Sequence, residues 1–256
     1  MNRLDKLFQT KKKKILSVYF TAGYPSQDSV EKIILLLEKN GADMIEIGIP
    51  YSDPLADGPV IQETDKVAIA NGMTLEHLFL QLKGIRKKTS VPLLLMGYIN
   101  PIMQFGFTRF CQNAADAGIA GLIIPDLPLP EYERHYNKIV IEYNLKNIFL
   151  ITPDTTDERI RQIDDLSTGF VYMVSSASTT GKTRTFNDEQ LKYFKRIASL
   201  KLQNPILAGF GIYNRETLEQ VFSYCSGAII GSAYMRSLQM SNSIEEATVN
   251  FFKSLK

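Results

Sequence analysis

Short runs of β-branched and aliphatic residues alternate along the chain with longer stretches whose apolar positions recur at helical spacing, the pattern of parallel βαβ units. The strand runs are Ile15–Thr21, Met44–Ile49, Pro92–Gly97, Gly121–Pro125, Asn147–Thr152, Phe170–Ser175, Pro205–Gly209 and Gly227–Gly231. Helical stretches between them include Ser26–Asn40, Thr108–Ala117, Glu131–Tyr143, Asp188–Ser199 and Arg215–Ser223, several opened by Ser, Thr or Asp as caps. A short helix around Arg3–Gln9 precedes the first strand. Eight such strands argue for closure into an α/β (β/α)₈ TIM barrel, which typically needs about 250 residues. The chain has 256, and no repeat or linker divides it, so one barrel domain over 1–256 is expected. An open doubly wound sheet would place a glycine-rich turn after the first strand. Here Thr21-Ala22-Gly23-Tyr24-Pro25 follows, which is no dinucleotide fingerprint.

Composition supports a packed globular chain, with 45% hydrophobic and 22% charged residues. A net charge of +2, from 29 basic and 27 acidic residues, is too small to suggest nucleic acid as the main ligand. The basic run Lys11 to Lys14 reads as a solvated tip before the first strand rather than a docking patch. No apolar stretch is long enough to span a bilayer and no secretory leader is evident, so a cytoplasmic protein is expected. Cys111 and Cys225 offer no disulfide framework, and His77 and His135 have no neighbour at metal-ligand spacing.

In such barrels the chemistry lies at the C-terminal ends of the strands and on the loops that follow. In the second strand Ile45, Ile47 and Ile49 alternate with Met44, Glu46 and Gly48. The isoleucines suit the helix-facing side, which turns Glu46 into the barrel, where desolvation would raise its pKa toward a value useful for proton transfer. A buried salt bridge is the structural alternative, but no Lys or Arg holds a comparable inward position. The proline-stiffened loop Pro50-Tyr51-Ser52-Asp53-Pro54-Leu55-Ala56-Asp57-Gly58-Pro59 then brings two carboxylates to the mouth. Helix capping by Asp57 ahead of Pro59 would account for one of them.

Gly209-Phe210-Gly211-Ile212 and Gly231-Ser232-Ala233 follow the last two strands, where paired glycines let backbone N–H groups approach an anion. Loops at these two places form the recurring phosphate site of the architecture, although ordinary turn chemistry could also explain them. Ser175 to Asp188 is a long polar loop without apolar periodicity and reads as a lid. Tyr19, Tyr98, Tyr172 and Phe210 fall at or near strand ends and suggest a flat, apolar ligand body, with core packing as the alternative for any one of them.

The segment Ile45-Glu46-Ile47-Gly48-Ile49-Pro50-Tyr51-Ser52-Asp53-Pro54-Leu55-Ala56-Asp57-Gly58-Pro59 closely resembles the strand-two signature of the tryptophan synthase alpha chain family. Gly121-Leu122-Ile123-Ile124-Pro125-Asp126-Leu127-Pro128 and the two glycine turns support the likeness, which runs from the first strand to the last helix. The resemblance implies retro-aldol cleavage of indole-3-glycerol phosphate to indole and glyceraldehyde 3-phosphate in L-tryptophan biosynthesis, without a metal or organic cofactor. It implies that Glu46 is the general acid/base and that Asp57 accepts the indole N–H. Backbone at Gly181, Gly211, Gly231 and Ser232 would hold the phosphate, Tyr19, Tyr98, Tyr172 and Phe210 would line the indole pocket, and Thr180 would be the lid threonine. The implied partner is a pyridoxal-phosphate-dependent β chain in an α₂β₂ complex, met by Asp53, Asn100 and Pro101. One stretch departs from the family pattern. Ser176-Ala177-Ser178-Thr179 precedes Thr180-Gly181 where many members carry an Arg and a Gly-Val pair, so lid closure and its coupling to the partner would differ. Two rival readings are another phosphate-binding barrel, such as an isomerase or epimerase, and a catalytically silent α-like activator of a β chain. Metal-dependent epimerases would want His at strand ends, and intact Glu46 and Asp57 speak against silence.

Overall fold

A computed structural model describes residues 1–175 and 185–256. All strands lie parallel in one sheet of nine segments, β1 (Ile15–Thr21), β2 (Met44–Gly48), β3 (Leu93–Met96), β4 (Gly121–Ile123), β5 (Lys146–Ile148), β6 (Leu150–Ile151), β7 (Val171–Val174), β8 (Ile206–Gly209) and β9 (Gly227–Ile230). Each run expected from the sequence is present, trimmed by a residue or two at several ends. The expected fifth strand is divided at Phe149. Its first half pairs with β4 and its second with β7, so β5 and β6 are one strand turning the corner that closes an eight-stranded TIM barrel. The Phe149 carbonyl still accepts the Tyr172 N–H at 2.9 Å across that corner.

Strand alternation sorts the side chains into two cores. Ile45, Ile47 and Ile49 pack outward with the helices, whereas Ile15, Met44, Leu94, Ile123, Ile148, Leu207 and Ile229 fill the barrel. Two inward glycines make room for tyrosines: a Cβ on Gly48 would come within 2.0 Å of the Tyr19 hydroxyl, and one on Gly209 within 2.2 Å of the Tyr172 hydroxyl. Each tyrosine thus lies across the upper barrel against a glycine of the adjoining strand.

The lower end is plugged. Helix Arg3–Thr10 is capped by Asn2, whose side chain accepts the Leu4 N–H and donates to the carbonyls of Ala120 and Asn144, both at 2.8 Å. Leu4 and Phe8 thereby enter the interior cluster, with Phe8 against Phe170. The basic run is solvated as expected, though Lys11 pairs with Asp43 and Lys14 with Glu219. Helix Val30–Asn40 starts later than expected, because Ser26 to Ser29 form a turn in which the Ser29 hydroxyl bonds the Tyr24 and Ser26 carbonyls. The expected helix Glu131–Tyr143 contains a widened turn at Tyr132–Tyr136.

Leu4 is fully enclosed at the base of the barrel. Leu4→Ala should lower unfolding free energy by about 2–5 kcal/mol, the usual cost of such a cavity, measured by urea titration. A loss below about 0.5 kcal/mol would mean that the plug is not part of the barrel core.

Candidate active site

Glu46 points inward from β2, level with Tyr19 of β1 and Leu94 of β3. It is 0% exposed. Its carboxyl accepts the Ser17 hydroxyl at 2.7 Å through Oε1, while Oε2 has no partner among the described residues. The alternative of a buried salt bridge is not met, since no cation pairs with it among the described residues. Burial therefore pushes its pKa from 4.5 up to about 8, with the Ser17 bond opposing only part of the rise.

Asp57 arrives from the loop after β2. It does not cap the helix Pro59–Ala70 that follows, whose N-cap is Gly58. Instead its Oδ2 accepts the Tyr98 hydroxyl at 2.8 Å, and the Tyr98 oxygen accepts the Ala56 N–H at 3.0 Å. Tyr98, at the end of the third barrel strand, thus fixes both the loop and the carboxylate it carries. Burial raises the Asp57 pKa and the Tyr98 bond opposes that rise. The tyrosine's own proton is held more tightly, through burial and the Asp57 charge.

One cavity of about 290 Å³ opens at the C-terminal ends of the strands. Tyr19, Asp57, Tyr172, Phe210, Gly211, Gly231 and Ser232 all line it. Two expected site residues stand behind this wall. Tyr98 holds Asp57 from the rear, and Glu46 lies deeper, turned toward Ser17. Thr180, Gly181 and most of the expected lid lie outside the described residues. Thr185, Phe186 and Asn187, at the lid's far end, line the cavity, and Asn187 caps the helix Asp188–Ser199.

The turn after β8 carries a strained backbone. Phe210 has φ 71° and Gly211 φ 71°, so two consecutive residues adopt the left-handed conformation, which is costly for a phenylalanine. The Ser175 hydroxyl, donating to the Phe210 carbonyl at 2.5 Å, holds the turn. On the adjoining strand, Gly231 precedes the helix Ser232–Met240, whose first residues Ser232 and Ala233 line the cavity.

Asp53 and Asn100 are exposed and Pro101 is half-buried. The Asn100 amide donates to the Tyr51 hydroxyl at 3.2 Å, Tyr51 packs on Tyr98 at 5.2 Å between ring centroids, and Ser52 bonds Asp53. Leu55, between the two loop aspartates, is 93% exposed.

Sequence reasoning missed Ser17 and Asp65. Ser17 is recoverable from parity, two residues before Tyr19 on the same inward face. Asp65 sits on the buried side of helix Pro59–Ala70 with Ile61, Thr64 and Ala68. It faces Thr21 and the Tyr51 N–H at 3.4 Å each, and burial together with the Asp57 charge pushes its pKa up to about 7. A carboxylate on an apolar helical stripe was the available signal.

A parallel barrel whose cavity at the C-terminal ends of the strands is lined by a carboxylate and glycine turns, with a second carboxyl buried on the inner face, has the build of a barrel enzyme for a small molecule. The comparisons name the group within that class. The family model described as tryptophan synthase alpha chain matches residues 6–255. The tryptophan synthase alpha chain of Parabacteroides distasonis is 51% identical over 256 residues, covering 100% of both chains. That of Christiangramia forsetii is 54% identical over 238 residues, 93% of each chain. The crystal structure of tryptophan synthase subunit alpha from Legionella pneumophila superposes with a TM-score of 0.88 at 32% identity, covering 100% of this chain and 97% of that one. The chain belongs to the tryptophan synthase alpha chain family. Its reaction class is that family's lyase chemistry in tryptophan biosynthesis, and membership implies a β chain as partner. No helix among the described residues is long and apolar enough to cross a membrane.

The folded-state value of Glu46 has a consequence for stability. Between about pH 4.5 and 8 the folded chain retains a proton that the unfolded chain has released. Folding is therefore favoured by this group below 4.5 and loses that advantage as pH rises through 8, by on the order of 1.4 kcal/mol per pH unit inside the window. Glu46→Gln keeps the shape and removes the titration. Urea unfolding from pH 4 to 9 should show the variant gaining on the wild type steadily across this window. A constant difference over the whole range would mean that Glu46 is not held protonated.

Proposed function

We propose that this chain cleaves indole-3-glycerol phosphate to indole and glyceraldehyde 3-phosphate, with Glu46 as general acid/base and Asp57 as the acceptor of the indole N–H. The observation that carries the reading is the buried Glu46 carboxyl, uncompensated by a cation among the described residues and with its pKa pushed up to about 8, on the inner face below a cavity that presents Asp57.

The chemistry requires a proton on indole C3, which turns the ring into an indolenine cation with positive charge on nitrogen. Protonated Glu46 supplies that proton. The carbon–carbon bond then breaks as the adjacent glycerol hydroxyl loses its proton to the Glu46 carboxylate. The bonding pair returns to the ring, the hydroxyl carbon becomes the aldehyde of glyceraldehyde 3-phosphate, and Glu46 ends protonated as it began. To reach C3 its carboxyl leaves Ser17 and rotates toward the cavity. Such acid–base assistance contributes a factor of about 10²–10⁴. Asp57, oriented by Tyr98, meets the positive nitrogen with a charge-assisted hydrogen bond of about 1.5–3 kcal/mol.

Tyr19, Tyr172 and Phe210 would sandwich the ring, and backbone at Gly211, Gly231 and Ser232 would receive the phosphate, with Thr180 and Gly181 completing the site from the lid. Asp53, Asn100 and Pro101 would face the β chain in an α₂β₂ assembly, to which Leu55 adds an apolar contact. Pyridoxal phosphate would belong to that partner, and this chain would work without a cofactor as one barrel domain over 1–256 in the cytoplasm.

Indole release by the purified chain, alone and with a tryptophan synthase β chain, tests the reading. Activity should rise with the β chain, fall by about 10² or more in Glu46→Gln, and fall by about 10–100-fold in Asp57→Asn. Substrate that binds without releasing indole in either setting would leave an activator or a barrel of other specificity.

A further inference from the structure

The cavity wall carries both signs of charge, on the loop after β2 and on the helix after β9. Among its described wall residues Asp57 is the sole acidic side chain and Arg236 the sole basic one. Arg236 stands four residues beyond Ser232 in the helix Ser232–Met240. Helical side chains lean toward the N-terminus, so a residue one turn in covers the turn before it. That turn begins at Ser232, beside Gly231, and Gly211 lies on the same cavity wall. Arg236 enters no hydrogen bond or ion pair among the described residues, unlike Arg196, which is spent on the Pro153 and Thr155 carbonyls and on Asp157.

Backbone N–H groups alone accept an anion with little regard to its charge. A guanidinium is permanently charged and presents paired donors matched to phosphate oxygens. Asp57, on the loop after β2, repels the same group. A substrate with an N–H at one end and a phosphate at the other therefore has one favoured orientation, whereas an unphosphorylated indole glycerol gains nothing at the basic end.

We propose that Arg236 is a specificity-determining residue that selects and orients the phosphorylated substrate by pairing with its phosphate above the Gly211 and Gly231–Ser232 turns. This rests on the assignment of those turns as the phosphate end of the cavity. The side chain is exposed at the mouth, so water and salt reduce its effect, and the pairing weakens as ionic strength rises.

The test compares wild type, Arg236→Gln and Arg236→Lys in the complex with the β chain. It measures KM and kcat for indole-3-glycerol phosphate, and competitive inhibition by glycerol 3-phosphate and by indole. In Arg236→Gln, KM and the glycerol 3-phosphate inhibition constant should each rise about tenfold at low salt, converging on the wild type at high salt. The constant for indole should stay within about twofold and kcat within about threefold, and Arg236→Lys should recover part of the loss. An unchanged glycerol 3-phosphate constant, or equal weakening of indole and glycerol 3-phosphate, overturns the role of Arg236. If glycerol 3-phosphate fails to compete even in the wild type, the phosphate end is misassigned and Arg236 falls with it.

Discussion

A carboxyl sealed among apolar side chains, with one hydrogen bond and no cation among the described residues, is the condition on which this site rests. Glu46 keeps its proton near neutral pH only because the barrel around it is closed. Closure depends in turn on the strand that breaks at Phe149 and pairs on both sides, and on the Leu4–Phe8 plug that keeps water from below. A sheet left open would leave the inner face of β2 accessible to water, and the carboxyl would ionise in the ordinary range. Fold and proton affinity are thus one energetic problem: the interior that stabilises the chain also makes an acid of Glu46.

The second carboxylate is handled differently. Asp57 stands on the cavity wall, and its ionised form is favoured by the Tyr98 hydroxyl, which also fixes the Ala56 backbone. Two carboxyls in one barrel mouth so acquire separate tasks through their surroundings, one suited to carrying a proton and the other to meeting a cation. Asp65, beneath the same loop, adds a third acidic group whose proton is held by burial and by the Asp57 charge. Asp57, the glycine turns and Arg236 share the wall of a cavity of about 290 Å³.

Two walls of that cavity are held by contacts from distant residues. The β2 loop is tied by Tyr98, Tyr51 and the Pro59 helix start, and the Phe210 turn by Ser175, so both walls are preformed. Phe210 retains a left-handed backbone because the bond from Ser175 and the packing against Tyr172 outweigh the local cost.

Alternation along β2 was enough to separate the outward isoleucines from inward Glu46, because a strand in a barrel has two faces and no third choice. The eight strands and the site's place at their C-terminal ends were legible for the same reason: periodicity is a local property. The β2 loop was legible as a motif, yet whether Asp57 caps a helix or faces a ligand depended on Tyr98, some forty residues away. Ser17 as the partner of Glu46, Asp65 beneath Asp57, the plug formed by Leu4 and Phe8, and Arg236 at the anionic end are contacts between distant segments. A one-dimensional pattern shows which way a side chain faces. What it faces is decided by strand register and barrel closure, and those come from packing the whole chain.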